Sequence, residues 1–361
     1  MEGIVNHSDG MNYAPIGKPD HVVEQGEFQF AAIALDHGHI YGMCNGLIEA
    51  GATLKWVYDE DEQRVAQFVA TYPTVQIASS LMQILEDATV GLVAAAAIPN
   101  ERAGLGIKVM EAGKHYFTDK APFTTMAQLE QVKEVVARTN CKYAVYYSER
   151  LHVESAVFAE QLIQQGAIGR VIQMIGLGPH RLNESSRPDW FFNKEQYGGI
   201  LCDIASHQIE QFLYFSGNND ARVTLSQVAN YNNKHRAELE DFGDAHLVGA
   251  NGATAYIRVD WLTPDGLSSW GDGRTIILGT EGYIELRKYV DITKSAGGDH
   301  LFLVNKQGEQ YWNLQGKVGF PFFGKFILDC LHGTEHAMTQ EHIFKVAELT
   351  LLAQQQAVVV E

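Results

Sequence analysis

Between residues 28 and 147, short apolar runs alternate with longer stretches in which apolar residues recur at helical spacing. The runs 28–35, 54–58, 75–78, 90–98, 115–118 and 142–147 predict strands, and the stretches 40–50, 60–72, 80–86, 100–112 and 124–138 predict the helices between them. Run 90–98 is apolar throughout and stops at Pro99, the pattern of a strand covered on both faces. Six strands with intervening helices predict a parallel, nucleotide-binding Rossmann sheet.

After residue 147 the pattern changes. A helix at 153–165 and a strand after Gly169 precede a two-glycine turn, Gly198-Gly199, which opens another helix. Period-2 segments follow at 223–231, 245–248, 254–261, 275–279, 283–287, 301–304 and 310–314, and helices at 320–332 and 340–359 close the chain. Such alternation predicts an open, mostly antiparallel sheet with helices on one face. The expected α/β architecture is therefore a Rossmann domain over 28–148 followed by a substrate-binding and oligomerisation domain over 149–361. Residues 1–27 lack periodicity and read as a tail or an arm laid over the surface.

Composition narrows the functional classes. The chain has 361 residues, 46% hydrophobic, with a formal net charge of -17. No Lys/Arg cluster is present to neutralise a row of phosphates, which argues against nucleic acid and anionic membranes as partners. No apolar stretch of about 18 residues or signal-like N-terminus occurs, so a cytoplasmic protein is expected. Cys44, Cys141, Cys202 and Cys330 are widely spaced and read as reduced core thiols.

Candidate cofactor chemistry sits between the first strand and helix. The glycine positions of a G-x-G-x-x-G fingerprint hold Ala34, Asp36 and His39, leaving Gly38 and Gly42 for close approach. Backbone amides of Asp36, His37, Gly38, His39 and Ile40, at the start of the helix, are expected to bind a pyrophosphate, although Asp36 brings a negative charge. Asp59 ends the second strand, where a carboxylate accepts ribose hydroxyls; as an alternative it caps the next helix. A 2′-phosphate would meet Asp59, Glu60 and Asp61 and no arginine in that stretch, which favours NAD over NADP. Asp36, His37 and His39 also read as metal ligands, but the sequence identifies no further ligand, so no metal is expected.

In the second half, Asp203 and His207 lie four residues apart after the two glycines and share a helical face. A histidine near its ordinary pKa takes a proton from a substrate hydroxyl, and a carboxylate one turn away orients the ring or the substrate. The alternative is a helix N-terminal acid beside a satisfied core histidine.

Two motifs in this order resemble the Gfo/Idh/MocA oxidoreductases, and the likeness runs from Phe28 to the end. The first is Asp119-Lys120-Ala121-Pro122, where the family has Glu-Lys-Pro; the second is the run from Gly198 to His207. The resemblance implies that Lys120 bridges the nicotinamide ribose and the reacting hydroxyl, that Asp203 holds substrate and that His207 is the base. It further implies that Ile98, Pro99 and Asn100 lie along the cofactor beside Asp119 and Lys120. His180, Arg187 and Trp190 fall where the family contacts substrate; alternatively the aromatic residues 190–192 are core and Arg187 is a surface ion pair. Ala121, inserted before Pro122, threatens the turn that orients Lys120, whose other reading is a solvated turn lysine. His332, His336 and His342 read as loop and cap residues.

The implied function is an NAD-dependent dehydrogenase that oxidises a secondary hydroxyl of a sugar, sugar acid or cyclitol. Two alternatives use the same residues: an NAD-dependent glycosidase working by transient oxidation and elimination, and a non-enzymatic NAD or sugar sensor. A homodimer or homotetramer, paired through one sheet face, is part of what the resemblance implies.

Overall fold

The computed structural model describes residues 15–293 and 297–361, so residues 1–14 of the expected arm lie outside the described residues. Over 18–27 the chain runs beside the end of the first helix, with the Val22 N–H donating to Ala50 O at 3.0 Å and Lys18 paired with Glu49.

The first compact unit comprises residues 18–146 together with 320–344. Its elements are β1 (Gln29–Ile33), α1 (His39–Glu49), β2 (Thr53–Tyr58), α2 (Glu62–Thr71), β3 (Gln76–Ile77), α3 (Leu81–Glu86), β4 (Val90–Ala95), α4 (Arg102–Glu111), β5 (His115–Asp119), α5 (Met126–Thr139) and β6 (Tyr143–Tyr146). The strands form one sheet in the order β3-β2-β1-β4-β5-β6, with every pair parallel. Strand order reverses between β1 and β4, the place where open α/β sheets bind ligands at their carboxyl ends. Phe30, Ala31 and Ala32 of β1 and Leu92 to Ala95 of β4 are fully buried, as a strand covered on both faces requires.

The predicted helix at 100–112 starts as a 3-10 turn, Pro99–Glu101, because Pro99 fixes the first helical φ without needing an N–H partner. Segment 320–344 joins this unit, whereas the sequence assigns it to the second domain. The reason is aromatic: Phe322 and Phe326 pack on Phe117 with ring centroids 5.9 and 5.3 Å apart, and Phe323 meets Tyr146 at 6.4 Å.

The second unit comprises residues 15–17, 147–319 and 345–361. It contains α6 (Ser148–Leu151), α7 (Glu154–Gln164), β7 (Val171–Pro179), α8 (Lys194–Tyr197), α9 (Ser206–Ser216), β8 (Ala221–Ala229), β9 (Phe242–Gly249), β10 (Thr254–Asp260), β11 (Arg274–Gly279), β12 (Gly282–Arg287), β13 (His300–Asn305) and β14 (Gly308–Asn313). The chain closes with α10 (Pro321–His332) in the first unit, then α11 (Gln340–Gln355) and β15 (Val358–Val360). The final helix is thus shorter than the predicted 340–359: the three β-branched residues 358–360 pair in parallel with β8 instead. The sheet runs β14-β13-β12-β11-β7-β10-β9-β8-β15, antiparallel except at β7/β10 and β8/β15.

Candidate functional site

In the first unit the loop after β1 is built by side chains rather than by glycines. Ala34, at the first fingerprint position, takes a left-handed φ of 49°, the conformation that glycine favours. Asp59 ties the loop to its neighbours: Oδ2 accepts from Leu35 N–H at 2.6 Å, and Oδ1 accepts from Asp61 N–H at 2.8 Å and from Arg64 at 2.9 Å. Arg64 also pairs with Asp36 at 2.9 Å. An arginine therefore does stand at the end of β2, contrary to the expectation from residues 59–61 alone, because the first turn of α2 brings position 64 back to the strand. Asp59 holds the loop, and the helix cap is Asp61, which accepts from the Gln63 and Arg64 amides.

Several amides of the 36–40 loop have partners within the protein. His37 N–H bonds Ala96 O, Ile40 N–H bonds His37 O, and His39 N–H lies 3.4 Å from His37 Nδ1. Gly38 caps α1 with a right-handed φ of -61° and no side-chain partner, and the Ile40 side chain points into the core. A Cβ at Gly42 would lie 2.7 Å from the Tyr146 hydroxyl, so this glycine serves close packing of α1 on Tyr146.

Behind the loop, Asp119 is fully buried and gathers four donors. His39 Nδ1 lies 2.8 Å from Oδ1 and His37 Nδ1 2.9 Å from Oδ2; the Lys120 amide reaches Oδ1 at 2.7 Å and Arg102 reaches Oδ2 at 3.3 Å. Burial opposes ionisation of this carboxyl, but His39, Arg102 and His37 outweigh it and hold Asp119 well below the usual carboxylate range. Burial also brings His37 down to about 3, so its ring is neutral. Arg102, equally buried, donates to Ala97 O at 2.7 Å and Ala121 O at 3.0 Å. That bond anchors the inserted Ala121, and Lys120 beside it is buried rather than a solvated turn lysine.

The unit has a cavity where open α/β sheets bind nucleotides. A cavity of about 580 Å³ at the carboxyl ends of β1, β2 and β4 is lined by Ala34, Asp36, Asp59, Arg64, Ile98 and Leu105, among others. Pro99, next to the lining residue Ile98 in the chain, is buried, and Asn100 keeps a buried Oδ1 without a protein partner, an atom suited to a bound hydroxyl or amide. These features fit NAD.

In the second unit, Gly198 and Gly199 have φ of 87° and 93°. A Cβ on Gly199 would lie 2.3–2.5 Å from the Gln354 amide group, which accepts from Leu201 N–H at 2.9 Å and donates to Glu240 at 3.0 Å. Glu240 accepts in turn from Ile200 N–H at 2.9 Å. The helix then opens as a π turn, Leu201–Ala205, not as regular α-helix. Such turns occur often at functional sites. Asp203 sits on it and His207 on the first turn of α9, and both are buried.

The surroundings of His207 contain groups that sequence reasoning missed. The Tyr147 ring meets it edge-on at 6.3 Å. Glu149 pairs with Lys288 at 2.7 Å; burial opposes ionisation of Glu149, yet Lys288, His207 and His180 bring it down to about 2. The only sequence signal was a Ser-Glu-Arg run just after β6.

Of the expected substrate residues, His180 and Arg187 meet around one aromatic wall. His180 Nδ1 lies 3.0 Å from Gly178 O and its ring contacts Trp261 and Trp270 at 5.4 and 6.0 Å. Arg187 stacks on Phe191, Trp261 and Trp270 at 4.5, 4.9 and 5.2 Å. Trp190 is half-buried against Phe191 at 6.0 Å, while Phe191 and Phe192 are core. Trp261 and Trp270 carry no site signal in the sequence, because one directly follows β10 and the other lies in an irregular loop. His332 ends α10, His336 lies by Asp329, and the His342 amide donates to Thr339.

Among the described residues no helix is long and apolar enough to cross a membrane. The model of the oxidoreductase family with an NAD-binding Rossmann fold matches residues 36–147, and that of the GFO/IDH/MocA C-terminal domain matches 157–285. A solved protein of Erwinia carotovora atroseptica SCRI1043, described as an oxidoreductase, is 55% identical over 93% of this chain and all of its own, with a TM-score of 0.90. The D-xylose dehydrogenase of Paenarthrobacter nicotinovorans is 24% identical over 41% of this chain and 39% of its own. GenD2 from gentamicin A biosynthesis, solved with NAD, shares the fold at a TM-score of 0.72 and 18% identity, covering 94% of this chain and 96% of its own. With both domain models matched, a parallel NAD-binding sheet and a mostly antiparallel second sheet, the chain belongs to the GFO/IDH/MocA family of oxidoreductases.

Proposed function

We propose that this oxidoreductase is an NAD-dependent dehydrogenase acting on a secondary hydroxyl of a sugar, sugar acid or cyclitol. The observation that carries the reading is the pair Asp203 and His207, both buried at a helix entry formed by two left-handed glycines. A buried acid and base, with His207 and the wall residue His180 both acting on Glu149, suit a polyol, whose C–H faces stack on rings and whose hydroxyls need fixed polar partners. The likeness to a D-xylose dehydrogenase agrees in substrate class.

In this reading His207 takes the hydroxyl proton, and the ionised Glu149 nearby favours the imidazolium so formed. Lys120 polarises the hydroxyl oxygen, and Asp203 orients the neighbouring group. NAD, when bound, supplies the hydride acceptor. Asn100, Ile98, Pro99 and the 36–40 loop hold the cofactor, while His180, Arg187 and Trp190 contact substrate. The reading includes a cytoplasmic homodimer or homotetramer formed through the sheet face that exposes Leu278, Tyr283 and Tyr311.

The test is NAD reduction across a panel of polyols that includes D-xylose. Wild-type protein is expected to turn over a member, and His207→Ala to lose about 10²–10⁴-fold in kcat. Full activity in His207→Ala overturns the role assigned to the histidine.

A further inference from the structure

The side chains of His37, His39 and Asp119 meet in the first unit, where the dehydrogenase reading uses the backbone of the 36–40 loop. Their ligand atoms all lie within 4.8 Å of one another, and the histidine Nδ1 atoms approach separate carboxylate oxygens at 2.8 and 2.9 Å. We propose that these three side chains form a binding site for one divalent transition-metal ion of the zinc type. The sequence supplies the pair His37-Gly38-His39, and the fold supplies the missing ligand from the end of β5, 80 residues beyond His39.

The donor set selects the class of ion. Two imidazoles and one carboxylate suit zinc, cobalt or iron(II), whereas calcium and magnesium prefer oxygen alone. Asp119 has the free valence to serve: the Lys120 amide occupies one lone pair of Oδ1, Arg102 occupies one of Oδ2, and the second lone pair of each faces an imidazole. These outer donors fix the carboxylate as second-shell partners usually do. The ion replaces the two imidazole contacts, and each neutral ring then carries its proton on Nε2. The His37 and His39 side chains keep 10% and 16% of their surface exposed, which gives the ion a way in.

Three protein ligands leave a fourth position open, as in zinc sites that bind a water or a substrate oxygen. Charge names the preferred fourth ligand. A dication here outweighs the single charge of Asp119 and makes the site receptive to an anionic oxygen, such as that of a phosphate.

The site shares its loop with the cofactor region of the proposed function, but its test needs no turnover, so either can fail without the other. Metal-stripped full-length protein is titrated with Zn²⁺ by calorimetry and with Co²⁺ by visible absorption. The expected result is one ion per chain, a four-coordinate cobalt spectrum that changes on adding inorganic phosphate, and at least tenfold weaker binding in His37→Ala and His39→Ala. The wild-type cobalt spectrum reads the ligand set even where a variant fails to fold. No stoichiometric binding, or equal binding by both variants with unchanged folding, overturns the site. A spectrum indifferent to phosphate overturns its open position.

Discussion

At residues 198 and 199 the chain turns on glycines with φ of 87° and 93°, whereas at 34–39 it turns with Ala34 at 49° and a loop fastened by Asp59, Arg64, Arg102 and Asp119. The first turn leaves little else to chance: Gln354 and Glu240 close on the amides that follow, and a Cβ has no room. In the second, strain in one alanine is held by buried charge and hydrogen bonds. A ligand loop can be shaped either by residues that tolerate the conformation or by neighbours that enforce it. The two devices fail differently under mutation, because a glycine turn breaks by steric clash and a braced turn breaks by leaving a charge behind.

The largest effect belongs to the brace. Arg102→Ala leaves Asp119 without its guanidinium and strips bonds from Ala97 and Ala121, so a loss of about 3–5 kcal/mol is expected in urea unfolding. A loss near 1 kcal/mol would show that the loop does not depend on this arginine. In the second unit, Gly199→Val places side-chain carbon against Gln354 at a left-handed φ, with an expected cost of about 2–3 kcal/mol in the same measurement. Retained stability there would remove the contrast from its other side. The smallest change runs the opposite way: Ala34→Gly relieves the one strained residue of the loop and is expected to raise stability by about 0.5–1 kcal/mol. A decrease would mean that the brace, not the residue, sets the strain.

Periodicity made most of the fold legible. The six-stranded sheet and the alternating strands of the second half follow from apolar spacing, and β4 could be recognised as a strand covered on both faces from the unbroken apolar run 90–98. The exceptions have local causes. Segment 320–344 packs its phenylalanines on the first unit, which no local pattern announces, and Val358–Val360 leaves the helix for a strand edge that exists only once β8 is in place.

At the candidate site, residue types were readable and partnerships were not. Asp203 and His207 stand out by spacing, but Glu149 and Lys288 are 139 positions apart and become partners only in the fold. Arg64 could not be placed against Asp36 and Asp59 from a helical pattern alone, nor Asp119 against two histidines of a distant loop. Long-range charge pairing carries no periodic trace in a sequence. The conformation of Ala34 was hidden for a related reason, since its left-handed φ is enforced from outside the residue.

The central claim is that the enzyme removes a hydride from a carbinol carbon of a sugar-like substrate. A polyol substrate found in the panel, deuterated at the carbon that is oxidised, tests it directly by mass spectrometry of the cofactor. The account predicts that NADH formed by the wild-type protein carries the deuterium, one label for each product molecule. Substrate conversion with no label accumulating in NADH would contradict it.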